Sequence, residues 1–121
     1  MKTLILFALI LSQTAAAAEE TLFSDSARKN KVDFIKAGEV SILCTKSDCL
    51  ARAITSSTKF LNYKSNWENG ENPASGICRH LAGKAAVAYQ SDGSEIATCK
   101  FTDSSEAIGW DLVRAWRKIK R

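Results

Sequence analysis

The reading of "SDSARKNKVDFIKAG", residues 24–38, decides what precedes the first cysteine. Ser24 suits an N-cap, because its hydroxyl can accept a hydrogen bond from a backbone N–H that the first helical turn leaves unpaired. Gly38 suits a terminator, because glycine enters the left-handed backbone region at little cost. Between them the sequence predicts a helix with few apolar positions. Next, "EVSILC" (39–44) and "CLARAIT" (49–55) read as two strands around the turn "TKSD" (45–48), with a helix from Ser47 through Ile54 as the competing reading. A Cys44–Cys49 bridge fits either reading. It encloses so few residues that its chain-entropy stabilisation is roughly 2 kcal/mol. The polar, Asn-rich "NYKSNWENGEN" (62–72), with Gly70, then reads as a loop. Residues 19–70 are therefore expected to form an N-terminal helix/hairpin extension, and residues 71–121 a domain of their own.

That second part opens with "ENPASGIC" (71–78). Asn72 is a strong N-cap, and Pro73 fits the first helical position because it lacks the N–H that a helix start leaves unpaired. Ile77, Leu81 and the Cys78 thiol form an apolar stripe, and Gly83 reads as the helix end. "KAAVAYQ" (84–90) follows as a strand, "SDGS" (91–94) as a turn in which Gly93 can take positive φ, and "EIATCKF" (95–101) as the returning strand. Alternation puts Ile96, Thr98 and Lys100 on one face and Ala97, Cys99 and Phe101 on the other. A Cys78–Cys99 bridge would staple the helix to that second face, and its loop of about 22 residues is worth roughly 3 kcal/mol.

The last segment, "DSSEAIGWDLVRAWRKIKR" (103–121), has Asp103 and Glu106 at capping-box spacing. Ile108, Leu112, Ala115 and Ile119 recur at helical intervals. Gly109 weakens a helix by about 1 kcal/mol relative to Ala and marks a close backbone approach. The predicted fold class is α+β: a small helix–β-hairpin–helix unit stapled by a disulfide, preceded by the extension.

The first residues, "MKTLILFALILSQTAAAAEE", carry the signs of an export signal. Lys2 is a short cationic start, Leu4 to Leu11 is an unbroken apolar run, and Ser12 to Ala18 end in small residues that suit cleavage after Ala18. The run is too short for a membrane span, which needs about 20 residues. The first cysteine is Cys44, so the lipoprotein cleavage cysteine is missing. Export to the periplasm or the extracellular space is expected. Loss of residues 1–18 takes one of the 17 Lys and Arg, against 13 Asp and Glu, and leaves a mildly basic chain. Four cysteines in an oxidising compartment read as two disulfides. A zinc site is the weaker rival, since His80 is the one histidine.

"NPASGICRHLAGK" (72–84) followed by "SDGSEIATCKFTDSSEAIGWDLVRAW" (91–116) resembles a small bacterial domain of unknown function that carries a haemolysin label. The shared features fall on Asn72, Pro73, Ala74, Ser75, Cys78, Gly83, Cys99, Phe101 and Trp110, and span about residues 71–117. This chain departs in having Ala82-Gly83 where many members have Gly-Gly, and Ala107 where some carry another Cys. The resemblance implies the fold of this segment and the Cys78–Cys99 bridge, and puts Trp110 in the core. It adds little on function.

Chemistry has few footholds. His80 could pair with Glu71 or Lys84 for acid–base work, but a Ser-His-Asp context, a phosphate loop and a carboxylate pair are all missing from the sequence. No catalytic residue, metal or cofactor is assigned. Lysis needs long amphipathic segments or barrel strands, and the final helix reads as core. Trp67, beside Tyr63 in the polar loop, is a binding candidate of the kind exposed aromatics supply. "RAWRKIKR" (114–121) holds five cations. A helix C-terminus accounts for one or two of them. The excess, Arg117, Lys118, Lys120 and Arg121 with Trp116 interleaved, fits an anionic envelope surface or a protein partner, with nucleic acid less favoured. The expected function is an exported, non-enzymatic binding or envelope-associated module. An inhibitor of a hydrolase such as a protease or lysozyme is the alternative, and a secreted nuclease or toxin resting on His80 ranks third.

Overall fold

"KVDFIKA" is a strand. In the computed structural model, which describes residues 19–65 and 67–120, the segment read as a helix over 24–38 is a loop followed by strand β2 (Lys31–Ala37). Ser24 does not cap a helix. Its N–H donates to Asn30 O (2.9 Å), and the Asp25 carboxylate accepts from the N–H groups of Lys29 (3.0 Å) and Asn30 (2.8 Å). These bonds hold the Asp25 carboxyl below the usual carboxylate range, with the Asn30 bond as the largest cause. Gly38 sits at φ +66° in the two-residue turn that joins Ala37 to its cross-strand partner Val40. The export signal read at residues 1–18 lies outside the described residues.

β1 (Glu19–Phe23) pairs with β2, and β2 with β3 (Val40–Leu43). β3 then pairs with β6 (Glu106–Ile108), β6 with β5 (Glu95–Lys100), and β5 with β4 (Lys84–Tyr89). All pairs are antiparallel, and the pair Phe23↔Tyr89 between β1 and β4 closes the ring. The expected helix–hairpin–helix α+β unit is thus corrected to a closed six-stranded antiparallel barrel carrying a few short helices and two disulfides. Residues 19–43 and 84–108 supply three strands each, so one barrel draws on both sides of the loop at 62–72.

The helices are α1 (Leu50–Ala53), α2 (Thr58–Leu61), α3 (Pro73–His80) and α4 (Gly109–Ile119), with 3₁₀ turns at Ile54–Ser56 and Trp67–Asn69. "CLARAIT" is therefore helical, not a strand, and Cys49 occupies the N-cap position of α1. Its neighbours' N–H groups are satisfied from far along the chain: Leu50 donates to Asp103 Oδ2 (2.8 Å) and Ala51 to Ser105 Oγ (3.1 Å). Asp103 thus serves α1. It does not cap the final helix, because Glu106–Ile108 pair as β6 and α4 starts only at Gly109. Cys44 is joined to Cys49 between the end of β3 and the start of α1, and Cys78 to Cys99 between α3 and β5.

Alternation along the strands separates two cores. Inside the barrel lie Leu22, Phe34, Ala88 and Ile108, edged by Val32, Leu43 and Ile96. The larger core lies outside it, where Ile42, Cys99 and Ala107 meet Phe60, Ile77, Leu112 and Val113 of the helices. Gly109 allows α3 and α4 to approach: a Cβ there would stand 3.1 Å from the Ala74 Cβ.

Helix α3 starts as its sequence indicates, with Asn72 accepting from Ser75 N–H (3.0 Å) and Pro73 at the first turn. It ends differently. Gly83 N–H bonds Cys78 O (2.9 Å) and Ala82 N–H bonds Arg79 O (3.0 Å), a Schellman motif whose left-handed residue is Ala82, at φ +62°. An L-residue there costs about 1–2 kcal/mol, of which a glycine returns part as unfolded-state entropy. Since the Ala82 side chain is exposed, Ala82→Gly is expected to raise stability by about 0.5–1 kcal/mol, visible as a higher Tm. An unchanged or lower Tm would show that strain at Ala82 is not a cost the fold carries.

Candidate functional site

Helix α4 divides its residues cleanly. Leu112, Val113, Ala115 and Trp116 are buried, while Trp110, Arg114, Arg117 and Lys118 face out. The outward set falls at i, i+4, i+7 and i+8, which is one side of a helix. Trp110 is 40% exposed and Trp116 only 9%. The expected roles of these two tryptophans are therefore exchanged: Trp116 belongs to the core, and Trp110 stands at the surface. Ile119, expected on the apolar stripe, is 51% exposed.

Asp111 anchors the helix. It is 5% exposed, its Oδ2 accepts from Ser41 N–H on β3 (2.9 Å), and its Oδ1 pairs with Arg114. Arg117 lies over the Trp67 ring, with its Cζ 5.0 Å from the centroid, and Lys120 Nζ lies 5.9 Å from the Trp116 centroid. Both are cation–π placements. Lys118 Nζ meets Glu39 Oε1 at 2.9 Å in a surface pair that is worth little by itself. Together Glu39, Arg114, Arg117 and Lys118 line a shallow depression of about 430 Å³. Three cations face two carboxylates, Glu39 and the Asp111 partner of Arg114, so the surface keeps an excess of positive charge. Arg121, the last cation of the tail, lies outside the described residues.

Behind this face is an aromatic cluster. Trp67 is half-buried, not a free loop tip, and packs edge-on against Trp116 at 5.1 Å between centroids. Its Nε1–H donates to Tyr63 Oη (3.1 Å), and Tyr63 donates in turn to Glu71 Oε1 (3.4 Å). Burial pushes the Tyr63 hydroxyl pKa up, against the opposing effect of the Trp67 bond. Glu71 pairs with Arg79. The Trp116 indole N–H is buried with no hydrogen-bond partner among the described residues. The His80 ring lies tilted against Tyr63 at 5.0 Å between centroids, and its Nε2 lies 2.8 Å from Lys59 O. So Tyr63 brings His80 and Glu71 to one cluster, while Lys84 begins β4. All four cysteines are in bridges, and no group of three or more metal-ligating side chains occurs among the described residues.

The arrangement packs Trp67 against Trp116 beneath the exposed Arg117 and Lys120, with Trp110, Arg114 and Lys118 beside them on the surface. Trp110 and Arg114 were not among the binding candidates read from the sequence, although the helical period contains both. No curated protein and no solved structure matches the chain. Residues 70–115, which include α3, β4, β5, β6 and α4 as far as Ala115, match the model of a family described as a domain of unknown function, DUF333.

Proposed function

We propose that the chain is an exported, non-catalytic module that holds to an anionic surface of the cell envelope through the outward face of α4. The observation that carries this reading is the set Trp110, Arg114, Arg117 and Lys118 on one helix side, where Asp111 pairs with Arg114 and Glu39 with Lys118 and Arg117 has no carboxylate partner among the described residues. Two disulfides point to an oxidising environment of the exported kind, which supports the location. The engagement of His80 with the Lys59 carbonyl and of Glu71 with Arg79 supports a non-catalytic role. No helix among the described residues is long and apolar enough to cross a membrane. The apolar side of α4 is packed on the barrel, which lends the haemolysin label no support. The exposed Trp110 indole can sit at headgroup level, the place first expected for Trp116.

A basic side chain beside an anionic lipid surface is worth about 1 kcal/mol. The triple variant Arg117→Gln, Lys118→Gln, Lys120→Gln is expected to weaken co-sedimentation with phosphatidylglycerol vesicles by about 100-fold at low ionic strength. Arg114 is retained because it partners the buried Asp111. Wild-type binding is expected to fade at 1 M salt, where the Debye length is ~3 Å. Equal binding of variant and wild type would remove α4 as the contact.

A further inference from the structure

The barrel is closed, yet its seam between β4 and β1 consists of one residue pair, Phe23↔Tyr89. β4 is otherwise paired along its length only with β5. The phase of its hydrogen bonds follows from Gln90 N–H, which donates to Ser94 O across the hairpin (2.8 Å). Directions alternate, so Ala88, Ala86 and Lys84 also point to β5, and Ala85 and Val87 point outward. Among the described residues, the outward N–H and C=O groups of Ala85 and Val87 meet no backbone partner. Edge strands are commonly blunted by a mid-strand charge, a proline or a bulge. The sequence "AAVA" (85–88) carries none of the first two, and its register with β5 is unbroken.

Two hollows flank this edge. On the outer side a groove of about 370 Å³ is lined by Ala74, Ser75, Ala85, Val87 and Ala97. On the inner side a cavity of about 220 Å³ is lined by Val32, Phe34, Ala86 and Ala88, with Lys100 and Glu106. An added strand would send alternate side chains into the two hollows while its backbone pairs with β4, as in strand-addition recognition. Small residues on both sides leave room for medium-sized apolar side chains. The charge at one end adds a direction. Lys84 and Lys100 are cross-strand partners, both exposed, and neither has an ion-pair partner among the described residues. Like charges placed opposite one another are destabilising, and an anionic group between them relieves this. Glu106, on the other side of Lys100, accepts the Thr98 hydroxyl (2.9 Å).

We propose that the open edge of β4 receives an extended peptide segment of another protein, antiparallel to β4, with apolar residues at alternate positions and an acidic C-terminal end beside Lys84 and Lys100. A second copy of this chain fits less well, because its own β4 is walled on one side by β5 and on the other by the Val32–Phe34 side of its barrel.

The test is hydrogen exchange at single-amide resolution on the disulfide-bonded protein, with the synthetic peptide acetyl-Thr-Val-Thr-Val-Thr-Glu-Glu as the probe. The amides of Ala85 and Val87 are expected to exchange freely in the free protein and to slow about tenfold at a peptide concentration about ten times Kd. The same peptide N-methylated at alternate residues should give no protection. A peptide ending in Lys-Lys should bind more weakly, and the double variant Lys84→Glu, Lys100→Glu should reverse that preference. Protection present without peptide, or rising with protein concentration alone, overturns the proposal in favour of an edge covered by the chain itself or by a second copy. No protection by the acidic-ended peptide, or equal protection by its N-methylated form, overturns it outright.

Discussion

Phe34→Ala is expected to remove about 4 kcal/mol of stability, the upper range for a buried aromatic in a core that cannot collapse around the loss. Phe34 is 1% exposed and is the largest side chain inside the barrel, where its buried companions are Leu22, Ala88 and Ile108. Strand pairing on both sides of β2 holds the walls apart, so the cavity has little to fill it. Since domains of this size have about 5–15 kcal/mol in total, the loss is a large share. A drop in Tm of roughly 15–30 °C follows. The neighbouring Ile35→Ala should cost about 1–2 kcal/mol, because Ile35 is only half-buried at the margin of the outer core. Chemical denaturation of both variants measures the contrast. Equal costs at 34 and 35 would mean that the two faces of β2 are not separated as described.

That contrast also explains why the sequence of β2 carries a weak strand signal. A strand with one wet face alternates apolar and polar residues, and the eye finds it by period two. β2 has Phe34 and Ile35 side by side because one faces the barrel interior and the other the helices outside. With both faces covered the alternation fades. What remained were Ser24 and Gly38, residues that serve helix ends and turns alike, and here they serve turns. The same ambiguity hid β6. Ile108 lies four residues before Leu112, so a three-residue strand reads as the first turn of the helix that follows it. Asp103 and Glu106 stand at capping-box spacing, but Asp103 caps α1, from which it is more than fifty positions distant in sequence. Local features survived better. The Asn72-Pro73 start of α3, the β4–β5 hairpin around Gly93 (φ +90°) and the presence of two disulfides each depend on residues that act where they stand.

The candidate surface was legible in part, and for a similar reason. Leu112, Ala115 and Trp116 follow i, i+3, i+4, and that spacing places Trp116 inward. Ile119 continues that stripe in sequence, yet it is 51% exposed, because it is the last residue of the helix. The resemblance puts Trp110 in the core, although it is offset by two residues from Leu112 and must face away from it. Arg114 reads from the sequence as one more cation of the tail, because nothing local shows that its partner Asp111 is buried. The stack of Arg117 on Trp67 joins residues that no local pattern connects. Tertiary pairing of that kind is set by the barrel, and the barrel depends on β2.

Gly83→Ala is expected to lower stability by about 3 kcal/mol, and the reason is the Cys78–Cys99 bridge. A Cβ at position 83 would overlap the Cys99 sulfur, stand 3.0 Å from the Cys78 sulfur and 3.3 Å from the Cys78 carbonyl oxygen. None of these atoms can yield easily. Both sulfurs are buried and tied to each other, Cys78 lies within α3, and Cys99 is paired on both sides, with Ala85 and Ala107. Gly83 is therefore needed for space rather than for its backbone angle, in contrast to Ala82 one residue earlier, and the two neighbouring substitutions should move stability in opposite directions. A double-mutant cycle separates the bridge from the rest of the crowding. In a Cys78→Ala, Cys99→Ala background, which itself forfeits roughly 3 kcal/mol of chain-entropy stabilisation, Gly83→Ala should cost about 1 kcal/mol or less, an interaction energy of about 2 kcal/mol. Thermal or urea unfolding of the four proteins supplies the numbers. If Gly83→Ala costs as much without the bridge as with it, the crowding comes from the Cys78 carbonyl and the helix end, and the glycine was not making room for the disulfide.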